Sequence, residues 1–120
     1  MQKRMKDFDV WDTVKVPFPH TNRPVQQYRP ALVVARHHEA DSPALLWVLM
    51  ITSASRRRWV GDVEISDLAK AGLPAVSIVR SAKIVTIEAQ EAERIGVLAH
   101  ADRTPVRDRI AALVGPVLRP

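Results

Sequence analysis

Arg29 stands directly before the apolar run PALVVA, residues 30–35. Ahead of it, VPFP at 16–19 ends on two prolines, and a polar loop follows with His20, Thr21, Asn22, Arg23, Gln26 and Gln27. A guanidinium keeps its charge at any ordinary pH, and its planar fork of N–H donors matches two oxygens of a phosphate. Fixed at a strand end, that fork could be held against one anion. The residues by themselves favour a plainer role: a strand-end cation whose stem lies on apolar surface while its head stays in water. A second cluster, Arg56-Arg57-Arg58-Trp59, puts three cations beside an aromatic ring. That combination suits a nucleic-acid backbone plus one stacked base. It also suits a solvated loop with Trp59 folded back on the core. The four histidines are His20, His37, His38 and His100. His37 and His38 would point to opposite faces of a strand, which makes a poor chelate. No HExxH-like spacing occurs. Cysteine is absent, so disulfides and thiolate zinc sites are excluded. No metal and no cofactor are expected.

The elements that must position these residues are short. Val14–Phe18 reads as a strand ended by Pro17 and Pro19. Tyr28–Arg36 reads as a second strand. Ala44–Thr52 reads as a third, although period alone cannot separate its continuous apolar run from a buried helix. Asp41-Ser42-Pro43 before it and Thr52-Ser53 after it favour the strand. Gly61–Ile65 alternates like a half-buried strand. Ser66–Ala71 is a single helical turn stopped by Gly72. Val76–Arg80 and Lys83–Glu88 are two further strands. Thr104-Pro105 marks a helix start, with Pro105 as its first residue. Val106, Ile110, Leu113 and Val114 then form one apolar stripe, and Gly115-Pro116 ends the helix. The expected fold is mainly β with a C-terminal helix: a small, bent antiparallel barrel with a helix packed on it.

Composition narrows the partners. The 120 residues make one domain, and 47% are hydrophobic, so the chain is globular. Lys and Arg total 18 against 13 Asp and Glu, a net charge of +5. The pI of about 10.2 favours a polyanion, nucleic acid first and an acidic protein tail second. Two Phe and one Tyr weigh against an RRM-type stacking platform. The start, MQKRMKDFDVWD, lacks the apolar core of a secretory signal. ALLWVLMI, residues 44–51, is too short to span a bilayer. A cytoplasmic location without membrane attachment is therefore expected.

The order of pieces along the chain is more specific than any one of them. WDTVKVPFPHT, then a polar loop, RPALVVA, ITS, AGLPAVSIVRSAKIVTIE and ERIGVL together resemble the MazF/PemK toxin family. These are ribonuclease toxins of bacterial type II toxin–antitoxin pairs, and the likeness spans nearly the whole chain. It implies an SH3-like barrel of the CcdB/MazF type and a homodimer. It also implies an antitoxin with an acidic C-terminal segment, and operator DNA binding only by the toxin–antitoxin complex. The implied activity is metal-independent cleavage of single-stranded RNA. By the same likeness Arg29 contacts the scissile phosphate, Thr52 stands opposite it, and Arg80 is a second catalytic arginine. His20 and Thr21 fall in the loop that closes over RNA. Thr21, Ser53, Ser77, Arg56, Arg57, Arg58 and Trp59 are the expected substrate contacts.

The sequence departs from the family pattern at two places. Trp11 stands where the family usually has glycine, a change expected to touch packing. Ala82 stands where many members have an acidic residue, so a proposed general base is missing. RNA cleavage needs a 2′-hydroxyl positioned for attack, charge on the phosphoryl oxygens stabilised, and protons moved. Arg29, Arg80 and Thr52 suit the second task. Arginine, with a pKa above ~12, is a poor base. His20, with an ordinary value near ~6.5, is the candidate for it. Two other readings stay open. CcdB toxins share the fold but bind gyrase and need a terminal tryptophan, which PVLRP lacks. Ala82 also leaves room for a catalytically silent module that binds nucleic acid or an antitoxin-like peptide.

Overall fold

The computed structural model describes residues 7–17 and 27–120. Its elements are β1 (Asp12–Pro17), β2 (Tyr28–His37), β3 (Leu45–Ser53), β4 (Val63–Glu64), α1 (Leu68–Ala71), β5 (Ser77–Glu88), β6 (Glu93–Val97) and α2 (His100–Leu118). The strands form one antiparallel sheet in the order β4-β5-β3-β2-β1-β6. The mainly β class with a C-terminal helix is thus the one expected.

The ambiguous run at 44–51 is the strand β3, and burial on both faces explains its composition. Leu46, Val48 and Met50 join a core cluster with Val14, Val16, Ala31 and Val33. Leu49 and Ile51 join a second with Leu32, Val79, Leu98 and Val106. Side chains alternate along a strand, so a strand covered on both sides loses its polar positions. Pairing shifts register between Val33 and Ala35, between Leu49 and Met50, and between Thr13 and Val14. Such bulges bend and twist a strand, which lets a small sheet curl around two cores.

Three sequence expectations change. The two strands expected at 76–80 and 83–88 are one strand, β5. Its pairing with β3 passes from Arg80↔Met50 to Ile84↔Leu49, so residues 81–83 form the bulge. β6 was not anticipated: Glu93 and Arg94 lie on the outer edge of the sheet, where charge is usual, and they mask the apolar signal. Finally, α2 begins at His100 rather than at Thr104-Pro105, and Gly115-Pro116 lies within it. Tertiary contacts override the local signal. Leu98 and Val106 are fully buried, and Asp102 accepts hydrogen bonds from the Ser66 N–H at 2.9 Å and from Ser66 Oγ at 3.0 Å. Ile110 packs on the core, whereas Leu113 and Val114, expected on the same stripe, are exposed.

Local devices shape α1 and hold it against the sheet. Asp67 caps it by accepting from the Lys70 N–H at 3.0 Å, and Gly72 closes it with φ +74°. A Cβ at Gly72 would lie 2.1 Å from the Ile95 carbonyl oxygen, so only glycine fits there. Thr13 Oγ1 donates to the Ala71 carbonyl at 2.7 Å and ties this turn to β1. Trp11, at the entry to β1, has φ +84°, the left-handed region that favours glycine. Its departure from the family glycine is therefore a matter of backbone as well as packing. The backbone is held by Trp11 N–H to the Val33 carbonyl at 2.8 Å and Leu98 N–H to the Trp11 carbonyl at 2.9 Å.

Candidate functional site

The ends of β2, β3 and β5 and the α1–β5 loop enclose a cleft of about 390 Å³. Lys15, Tyr28, Arg29, Thr52, Ser53, Arg56 and Ser77 line it, with Gly72–Ala75 as a wall. Strand pairing brings the catalytic candidates together. Ala31 pairs with Met50, and continuing that register two residues sets Arg29 opposite Thr52. Ser53 pairs with Ser77 on the other side.

The hydrogen-bonding state of each side chain differs. Arg29 donates from Nη2 to Gln27 Oε1 at 3.1 Å. Its Nε is buried and has no hydrogen-bond partner among the described residues. A buried guanidinium N–H without an acceptor is costly, and an anion entering the cleft is the kind of group that would offset this. Ser77 is committed, because its hydroxyl donates to the Ala75 carbonyl at 2.7 Å. Ser53 Oγ lies 2.8 Å from Ser55 Oγ and accepts from the Ser55 N–H at 3.2 Å. With the Arg56 N–H donating to the Ser53 carbonyl at 3.0 Å, this folds the turn that brings Arg56 to the cleft. Among the described residues three cations line the cleft, and no aspartate, glutamate or histidine does. The field there favours a polyanion.

Arg80, Arg57, Arg58 and Trp59 are not in this lining. They form a second group. Arg80 grips Asp62 with both arms of its fork, Nε to Oδ1 at 3.2 Å and Nη2 to Oδ2 at 2.9 Å. Nη2 also donates to the Arg57 carbonyl at 2.6 Å. The guanidinium carbon lies 4.1 Å from the centre of the Trp59 ring. The Trp59 N–H donates to Asp62 Oδ2 at 2.8 Å. Burial pushes the Asp62 carboxyl up, but it is outweighed: the Arg80 hydrogen bond, the Trp59 N–H and the charges of Arg80 and Arg58 hold it below the usual carboxylate value. Arg58 makes an exposed pair with Glu64 at 3.4 Å. Ala82 is exposed on the bulge of β5. His20 and Thr21 lie outside the described residues.

Sequence reasoning did not find Lys15, Tyr28 or the Gly72–Ala75 wall. Lys15 had a signal: it is the one exposed residue in the otherwise buried strand β1. The wall had none, because it is assembled by α1 folding back on β6.

The fold is that of known toxins. The chain aligns with a structure from Deinococcus radiodurans described as MazE-MazF, at a TM-score of 0.62 and 22% identity over 91% of this chain and 98% of that one. It aligns with the Mycobacterium tuberculosis toxin MazF-mt6 at a TM-score of 0.60 and 20% identity, over 82% of this chain and 92% of that one. No curated protein sequence matches it. Residues 9–114 match the family described as PemK-like, MazF-like toxin of type II toxin-antitoxin system, and the chain belongs to that family. No helix among the described residues is long and apolar enough to cross a membrane.

Proposed function

We propose that this chain is an endoribonuclease toxin that cuts single-stranded RNA at the cleft between β2, β3 and β5. The observation that carries the reading is Arg29: a guanidinium at a strand end, inside a cleft where, among the described residues, its buried Nε has no acceptor and the lining holds cations and no carboxylates. The 2′-hydroxyl attacks the adjacent phosphorus, the bond from phosphorus to the 5′-oxygen breaks, and the products are a 2′,3′-cyclic phosphate and a 5′-hydroxyl. Arg29 holds the phosphoryl oxygens as charge builds on them, and Thr52 adds a neutral donor. Lys15 and Arg56 hold neighbouring phosphates. The 2′ proton goes to His20, and the departing 5′-oxygen is protonated from solvent.

The proposed partners follow from charge and family. The acidic C-terminal segment of a cognate antitoxin would lie in the same cationic cleft and block RNA, in line with the MazE-MazF pairing of the Deinococcus structure. The working form is a homodimer in the cytoplasm. Operator DNA is bound only by the complex with antitoxin. The test is a long RNA incubated with the protein in EDTA, followed by analysis of the new ends. Cleavage giving cyclic phosphate, blocked by one 2′-deoxy nucleotide at the cut, is expected. Cleavage that persists on the 2′-deoxy substrate or requires Mg²⁺ overturns the mechanism.

A further inference from the structure

We infer that Arg80 is a positioning residue: it clamps the segment Arg57–Asp62 to the sheet and sets the three-arginine turn beside the cleft. This deepens the ribonuclease reading, in which the same arginine would otherwise be assigned to the chemistry. The geometry leaves Arg80 little to offer a substrate. Its side chain is 10% exposed and that of Asp62 is 2% exposed. The fork is already bidentate on the carboxylate, a further donor is spent on the Arg57 carbonyl, and the flat face is covered by Trp59. A guanidinium so engaged has its charge largely balanced before any phosphate arrives.

What the clamp fixes is the turn. Asp62 accepts from Arg80 and from the Trp59 N–H, and the Asp62 N–H returns a bond to the Trp59 carbonyl at 3.2 Å. Ser81, next to Arg80 on the bulge, donates from Oγ to the Gly61 carbonyl at 3.0 Å. The arginine, its neighbour and the bulge of β5 thus grip residues 57–62 at several backbone points. Arg56 then enters the cleft from one end of the gripped segment, while Trp59 keeps one side open, being 45% exposed. Arg80 therefore acts on RNA through Arg56 and Trp59, by holding them in place. The departure at Ala82 fits this role, since a clamp needs no acid two residues along the strand.

The test reads the turn and the RNA separately. Trypsin cuts after arginine, and its rate at Arg57 and Arg58 in the folded protein follows the opening of this segment. Arg80→Lys keeps the charge and loses the fork, Asp62→Asn keeps the shape and loses the charge, and the double variant combines the two changes. Each single change should speed cutting at these sites by about tenfold or more, the opening expected from one lost charge-assisted hydrogen bond. The double variant should speed cutting by less than the product of the two single effects, because the two residues act as a unit. With RNA, both single variants should raise KM more than they lower kcat. Asp62→Asn that resists trypsin and handles RNA like the parent, while Arg80→Lys loses kcat alone, would overturn the clamp and return Arg80 to the chemistry. If the protein cuts no RNA at all, the ribonuclease reading fails, while the trypsin result still decides the clamp.

Discussion

Replacing Trp11 by alanine and by glycine should reverse the usual order of stability. At an ordinary position alanine is the more stable of the two, by about 0.4–1 kcal/mol, because glycine frees the unfolded chain. Trp11 has φ +84°, where a residue with a Cβ carries a strain of about 1–2 kcal/mol. Glycine removes that strain and alanine keeps it. Both variants lose the same ring. It is partly buried against the second core cluster, so about half of a full aromatic truncation is at stake, roughly 2 kcal/mol. Arg103 and Arg107 stand 5.7 and 5.8 Å from the ring centre, and losing both contacts costs about 1 kcal/mol more. Trp11→Ala should therefore lose about 3 kcal/mol and Trp11→Gly about 2, leaving glycine ahead by just under about 1 kcal/mol. Urea unfolding followed by circular dichroism measures both against the parent. Equal m-values would show that the comparison is of stability and not of compactness. If Trp11→Ala is the more stable variant, the backbone at Trp11 is not strained and the reasoning fails.

Three further outcomes are expected. The Asp62 carboxyl is held below the usual carboxylate value in the folded chain, so its contribution is present above that value and lost as pH falls through the lower folded one; Asp62→Asn should flatten the acid limb of stability below about pH 4, measured by thermal melts across pH. If His20 takes the 2′ proton, kcat/KM should rise through a pH near ~6.5 and level off; His20→Ala should remove that limb and slow cleavage by about 10²-fold, and an unchanged profile would leave the proton to solvent. Lys15→Ala should weaken RNA binding and lower the dependence of log K on log salt by about 0.7, the share of one phosphate contact on a single strand; an unchanged slope would remove Lys15 from the site.

The fold was readable where local pattern and tertiary use agree. β2 and β3 were found almost to the residue, because burial on both faces wrote an apolar run bounded by turn residues. β6 was hidden because an edge strand tolerates Glu93 and Arg94. The start of α2 was misplaced because Thr104-Pro105 is a strong local signal, while the anchoring of Asp102 by Ser66 is 36 residues distant in the chain. The site was legible in its cations but not in their partners. Arg29 and Arg80 look alike in sequence, each a cation at or near a strand end. Only the fold separates them, since Arg80 meets Asp62 across a bulge and Arg29 meets Gln27 and an open cleft. Lys15 could have been suspected from the VKV alternation in β1.

The central claim is that the cleft around Arg29 stabilises the charge that builds on an RNA phosphate. The most direct measurement is single-turnover cleavage, in EDTA, of one RNA by the parent, Arg29→Ala, Arg29→Lys and Thr52→Ala, each first shown to be folded. Loss of the guanidinium should slow the chemical step by about 10²- to 10³-fold. Lysine should recover only part of this, because a point charge cannot replace a fork held against two oxygens. Thr52→Ala should show a smaller loss on the same step. Arg29→Ala that cuts RNA at the parent's rate would contradict the account, whatever the family to which the chain belongs.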